Sequence, residues 1–157
     1  MNYDKIIKDH MKDKYAKQIT EWNYEDEYAV YNLPSYDICK EKKYSITRED
    51  KKNNYIVYII DSEVVCYLNL KEINNKIYIG VGLNPKYCGA GRGKYFLEDS
   101  IKETKKRHPG KTLFLEVRSW NKRAIKSYQN IGFKITSTIT SKDKSGVDTE
   151  FIQMELS

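Results

Sequence analysis

Three glycines at alternate positions, Gly89, Gly91 and Gly93, follow the apolar run Ile77-Tyr78-Ile79-Gly80-Val81-Gly82-Leu83. They precede a helical pattern, Tyr95-Phe96-Leu97-Glu98-Asp99-Ser100-Ile101. A glycine turn between strand and helix lets backbone N–H groups converge on one point, and the helix dipole adds positive potential there. Gly89, Ala90, Gly91, Arg92, Gly93 and Lys94 therefore form an anion cradle, most often one for phosphate. Cys88, at the same helix start, could have a lowered pKa and be reactive. Further along, Glu116 alternates with Leu115 and Val117. An acid flanked by buried apolar neighbours has its pKa raised, which suits a base; an ion pair with a neighbouring strand or helix is the plainer role. Asn121, Ala124, Ile125 and Tyr128 stand at i, i+3, i+4 and i+7, on one helix face. Read alone, Tyr128 is a core aromatic of that amphipathic helix, and Asn121 is the helix N-cap.

Two familiar phosphate motifs fail on spacing. A P-loop needs a hydroxyl residue after Gly-Lys, and Gly93-Lys94 is followed by Tyr95. Gly110-Lys111 is followed by Thr112 but has no glycine five residues before it. A dinucleotide fold needs Gly-x-Gly-x-x-Gly near the start of a long alternating chain, and 157 residues leave no room for its second half.

The spacing resembles instead the GNAT superfamily of acyl-CoA-dependent N-acetyltransferases. Its phosphate loop, Arg/Gln-x-x-Gly-x-Gly/Ala, is similar to Cys88-Gly89-Ala90-Gly91-Arg92-Gly93, with Cys88 in place of the usual Arg or Gln. Leu113 to Asn121, then Ala124 to Tyr128 and Gly132-Phe133, resemble its second motif: a strand, Asn-x-x-Ala, then Tyr-x-x-x-Gly-Phe. The nearest branch looks like the ribosomal-protein alanine N-acetyltransferases, through Glu116, Asn121 and Tyr128. What the resemblance implies is an α/β (α+β) GNAT fold: a mixed sheet of about seven strands flanked by about four helices, in one domain over 1–157. In that fold the fourth and fifth strands splay and admit the pantetheine arm. The expected activity is transfer of an acetyl group from acetyl-CoA to a primary amine, by direct attack in a ternary complex. A non-catalytic acyl-CoA-binding domain is the alternative. Val81, Gly82 and Leu83 would pair with the pantetheine amides, Gly89 to Lys94 would hold the pyrophosphate, and Asn121 would touch the cofactor. Tyr128 becomes the general acid for the departing thiolate and Glu116 the base.

The segment Tyr24 to Pro34 mixes tyrosines with carboxylates. It is either a polar connector or an acceptor wall, in which Glu25 or Glu27 attracts an ammonium group and Tyr28 or Tyr31 packs its carbon chain. The acceptor is then an amine-bearing small molecule or a protein N-terminus.

Composition fits this class. A net charge of +6 is compatible with a polyanionic cofactor, and its densest cluster, Lys102, Lys105, Lys106, Arg107 and Lys111, complements a helix C-terminus. No nucleic-acid motif accompanies it, so no nucleic-acid partner is expected. No run reaches the ~20 apolar residues of a membrane span, and no signal peptide is visible, so a cytoplasmic protein is expected. Cys39, Cys66 and Cys88 form no Cys-x-x-Cys pair, so neither a disulfide framework nor a metal site is expected.

The elements that must position these residues are read from periodicity and punctuation. A short strand is expected over 2–8 and a helix over 11–22, with Tyr15, Ile19 and Trp22 on one face. A second helix begins near Ser35, and 40–54 carries no motif. Strands follow at 55–60, 64–70 and up to Leu83, with turns at Asp61-Ser62-Glu63 and Asn74-Asn75. The helix after the glycines ends near His108-Pro109-Gly110. A strand over 112–118, a helix over 122–131 with Gly132 as its C′ residue, and strands over 133–140 and 148–156 complete the chain.

Overall fold

In a computed structural model, residues 2–89, 91–143 and 145–157 are described. The elements run β1 (Ile7–Asp9), α1 (Asp13–Thr20), α2 (Tyr36–Glu41), β2 (Tyr55–Ile60), β3 (Glu63–Ile73) and β4 (Lys76–Leu83). They continue with α3 (Arg92–Arg107), β5 (Leu113–Arg118), α4 (Lys122–Asn130), β6 (Lys134–Lys142) and β7 (Asp148–Leu156). Among the described residues the seven strands form one mixed sheet, in the order β1-β2-β3-β4-β5-β7-β6. β4 and β5 pair in parallel through Ile77↔Leu113 and Tyr78↔Phe114, near the start of both strands. β1–β2, β2–β3, β5–β7 and β6–β7 pair antiparallel. The chain falls into two compact units: the chain to Asn69 with Val81–Leu97, and Leu70–Gly80 with Glu98–Ser157.

In the first unit β2 is an unbroken apolar run because both its faces are covered; Tyr55 to Ile59 are all buried. α1 turns Tyr15, Ala16 and Ile19 onto Tyr55, Val57, Ile59 and Val64, with Met11 and Ile46 in the same cluster. Burying each large apolar side chain in such a cluster contributes about 1.5–3 kcal/mol. The expected helix over 11–22 is shorter at both ends. Met11 gives its N–H to the Lys52 carbonyl at 3.1 Å, and the last turn tightens where Glu21 and Trp22 bond back to Gln18 and Ile19. The expected strand over 2–8 forms only from Ile7. Tyr3–Lys5 is a 3₁₀ turn capped by the Asn2 side chain, and the Tyr3 ring stacks on Tyr95 at 3.9 Å.

In the second unit β5 buries Leu113, Phe114, Leu115 and Val117. Asn121 caps α4 by accepting the Ala124 N–H at 3.2 Å, as expected of its type. Gly132, at φ +111°, turns the chain out of the helix, and its N–H bonds Gln129. Phe133, expected to open β6, is instead a buried plug just before it. β6 extends to Lys142 because Asp143 ties the hairpin loop, accepting from the Ser145 N–H and hydroxyl and from the Val147 N–H. The Ser145 hydroxyl bond and the Val147 N–H hold its carboxyl below the usual carboxylate range. Lys144, in the expected loop, lies outside the described residues. Among the described residues no helix is long and apolar enough to cross a membrane.

Candidate functional site

The end of β4 is pinned by Asn84, a buried polar residue. Its side chain donates to the Val64 carbonyl and accepts the Lys86 N–H, both at 3.0 Å. Its backbone N–H donates to the Val65 carbonyl of β3 at 3.0 Å. A trans peptide sets C=O opposite to the following N–H, so the Leu83 carbonyl faces away from β3. The N–H of Leu83 and the polar groups of Val81 share that direction by strand alternation. Gly82 is covered by a side chain: a Cβ there would lie 2.2 Å from Tyr67 Cε1. Its missing side chain makes room for the Tyr67 ring.

The glycine turn follows at once. Gly89 and Gly91 have φ of +88° and +75°, and among the described residues no atom beyond their chain neighbours stands within 4 Å of where a Cβ would be at either. Left-handed backbone flanking a helix start is the geometry that gathers N–H groups into a concave anion site. Ala90, expected within the cradle, lies outside the described residues. The helix begins earlier than expected: Arg92, Gly93 and Lys94 form its first turn, and the Arg92 N–H is given to the Gly89 carbonyl at 3.2 Å. Gly93 sits close over β4, with Leu83 Cδ2 at 3.4 Å from an added Cβ. The Arg92 guanidinium lies over the Tyr87 ring at 5.7 Å, and its Nε points to the Gly89 carbonyl at 3.5 Å. Tyr87 donates to Glu63, which also pairs with Lys86 at 3.3 Å. Open glycine backbone, a helix N-terminus and two cations together fit a phosphate-bearing cofactor.

The segment Tyr24 to Asn32 closes on itself. Asn32 accepts the Tyr24 N–H at 2.7 Å and donates to the Tyr24 carbonyl at 3.1 Å. The intervening Asp26–Tyr31 is a 3₁₀ turn that exposes Glu25, Glu27 and Tyr31 and half-buries Tyr28. Between Lys17 and Lys40 the sequence has no cation. Tyr24 itself, absent from the sequence-based list, donates its hydroxyl to the Leu83 carbonyl at 2.6 Å. Burial, and then Tyr67, Cys88 and Cys66, push its phenol well above the usual tyrosine range.

The second unit holds Glu116, Asn121 and Tyr128. Glu116 is exposed, so the burial expected from its apolar neighbours is not there. The strand alternates: Leu115 and Val117 go into the core, and Glu116 goes the other way, opposite Gln153 of β7. Gln153 accepts the Ser137 hydroxyl at 3.0 Å, so a polar row crosses three strands. The charge of Glu116 reaches Tyr78, whose phenol is pushed up first by burial and then by that carboxylate. Tyr128 is half-buried, its ring edge-on to Phe133 at 5.9 Å. Asn121 is buried, and its side chain is engaged as the α4 cap.

The profile of the Acetyltransferase (GNAT) family matches residues 16–133. The chain belongs to the GNAT family. It is thereby an acetyltransferase, of a family that takes its acetyl group from acetyl-CoA. Solved structures share the fold at low identity. One is a spermidine N-acetyltransferase chimera from Vibrio cholerae and hSSAT (16% identical, TM-score 0.76, covering 97% of this chain and 95% of that one). Another is a ribosomal-protein-alanine N-acetyltransferase from Brucella melitensis (16%, TM-score 0.69, 96% and 98%). A third is yncA of Salmonella typhimurium, whose structure holds its cofactor acetyl-CoA (17%, TM-score 0.67, 97% and 93%). No curated sequence matches the chain significantly.

Proposed function

We propose that the 157 residues act as one N-acetyltransferase domain that moves an acetyl group from acetyl-CoA to a primary amine by direct attack. The observation that carries this reading is the left-handed pair Gly89 and Gly91 between β4 and the first turn of α3. The N–H groups of Gly93 and Lys94, with the side chains of Arg92 and Lys94, would hold the pyrophosphate. The outward polar groups of Val81 and Leu83 would pair with the pantetheine amides, while Gly82 contributes the space that seats Tyr67. The Leu83 carbonyl is already taken by Tyr24, so Leu83 has its N–H left to offer on that edge. Bound acetyl-CoA supplies a thioester carbonyl open to a nucleophile. Tyr128 Oη would give its proton to the leaving sulfur. Glu116 acts through its exposure: as a solvated carboxylate it would take the acceptor's proton directly or through water. Asn121 orders the start of the helix that carries Tyr128.

The acceptor reading rests on the cation-free stretch from Gln18 to Cys39, in which Glu25 and Glu27 are exposed beside Tyr28 and Tyr31. An ammonium-bearing acceptor fits that surface, with the tyrosine rings against its carbon chain.

The test is CoA release, followed by mass spectrometry, from acetyl-CoA with polyamines, aminoglycosides, amino acids and alanine-ended peptides. Wild type releases CoA with at least one amine, and Tyr128→Phe lowers kcat by about 10²–10⁴ as for a lost general acid. Binding of acetyl-CoA with no release for any amine would establish the non-catalytic binder instead.

A further inference from the structure

Tyr24 stands next to Glu25 in the sequence, and no motif marks it. Its hydroxyl nevertheless ends on the Leu83 carbonyl, which faces away from β3 just before the Asn84 anchor. Two bonds from the Asn32 side chain lock the Tyr24 backbone, closing the loop that bears Glu25, Glu27, Tyr28 and Tyr31. A loop closed at its base moves as one body, so whatever holds Tyr24 holds all four side chains. The ring is held as well: Tyr31 packs edge-on against it at 6.3 Å. The hydroxyl spends its proton on the Leu83 carbonyl at 2.6 Å.

We propose that Tyr24 is a positioning residue that fastens the Tyr24–Asn32 loop to the outward edge of β4 and so fixes where the acceptor amine stands. The proposal rests on the acetyltransfer reading given above for the same site. A phenylalanine would keep the ring packing and delete only the bond to Leu83. The loop would then lose its tie to β4 and, held at its base by the Asn32 clamp alone, open more often. The consequence falls on the acceptor, because the end of β4 beside Leu83 is held separately by the Asn84 bonds to Val64 and Val65.

The test uses the full chain as wild type, Tyr24→Phe and Asn32→Ala. Hydrogen exchange is read at the amide of Tyr28, which bonds Glu25 within the loop, and at the amide of Tyr24. Both variants should exchange faster there by about tenfold, the scale of one lost hydrogen bond to a buried carbonyl. In turnover, the acceptor KM should rise by a similar factor, about tenfold, while the acetyl-CoA KM and the shape of the pH profile stay as in wild type. Unchanged exchange in Tyr24→Phe would overturn the anchoring. Faster exchange with an unchanged acceptor KM would reduce Tyr24 to a structural tie and overturn its positioning role. Loss of a limb of the pH profile would assign it a proton instead, which also overturns it. A wild type that releases no CoA with any amine would remove the acetyltransfer reading, and this inference with it, whatever the exchange shows.

Discussion

Gly82→Ala is a small change with a large expected effect. An added Cβ would lie 2.2 Å from Tyr67 Cε1, 2.5 Å from Cζ and 2.9 Å from the hydroxyl oxygen. Non-bonded carbons settle at about 3.5–4.0 Å, so the ring must retreat by more than about 1 Å. It has little room for that: Trp22 stacks on it at 5.8 Å and Tyr55 lies at 6.0 Å. Overpacking of this kind costs about 1–3 kcal/mol. For a chain of this size each kcal/mol lowers Tm by about 2–4 °C, giving a fall of about 2–12 °C. The assay is thermal and urea unfolding of Gly82→Ala, Tyr67→Ala and the double variant. Once the ring is gone the alanine has space, so in the Tyr67→Ala background Gly82→Ala should cost under about 0.5 kcal/mol, and the two changes should be strongly non-additive. If Gly82→Ala costs as much without the ring as with it, the close approach of Tyr67 is not why residue 82 is glycine.

Three other outcomes are expected. Asn121→Ala removes the α4 cap and should cost about 1 kcal/mol, read as a lowered Tm, with Asn121→Ser recovering most of it. Gly91→Ala places a Cβ at φ +75° and should cost about 1–2 kcal/mol in unfolding free energy although nothing crowds it, since the strain is in the backbone. Asp9→Asn tests the acid limb of stability. Burial pushes the Asp9 carboxyl up, but bonds from Lys12, Tyr15 and the His10 N–H outweigh it and hold it at about 2. A folded value below the unfolded one, about 3.9, stabilises the fold above about pH 4, and that contribution is lost as pH falls through about 2. The wild type should therefore be more stable than Asp9→Asn at pH 7, by an amount on the order of 1–2 kcal/mol. The two melting curves should converge between about pH 4 and pH 2.

The fold was legible where local chemistry decides it. The unbroken apolar run of β2, the Asn74-Asn75 turn and the Asn121 cap each carry their own signal, and the elements form at those residues. Boundaries failed where a partner distant in sequence decides them. Lys52 takes the Met11 N–H, so no amount of periodicity in 11–22 could show where α1 begins. Glu116 shows the limit of neighbour-based reasoning in a strand: buried residues on either side are what alternation gives an exposed position. The resemblance marks Gly82 as a partner of the pantetheine amides, while the reason for its type lies on β3. Tyr24 was indistinguishable from thirteen other tyrosines until the Leu83 carbonyl was seen beneath its hydroxyl. Asn84 carried one usable signal, an Asn-Pro turn after a strand, but its buried bonds to Val64 and Val65 could not be foreseen from it.

The central claim is that the glycine turn between β4 and α3 holds acetyl-CoA. Thermal unfolding with acetyl-CoA, CoA and ATP, on wild type and Gly91→Glu, tests it most directly. The account predicts stabilisation of the wild type by both CoA species and not by ATP, at concentrations well above Kd. In Gly91→Glu the carboxylate would stand where the phosphate charge belongs, and the stabilisation should vanish while the apo protein still melts cooperatively. A wild type that millimolar acetyl-CoA leaves unmoved, or a Gly91→Glu variant stabilised as much as wild type, would contradict it.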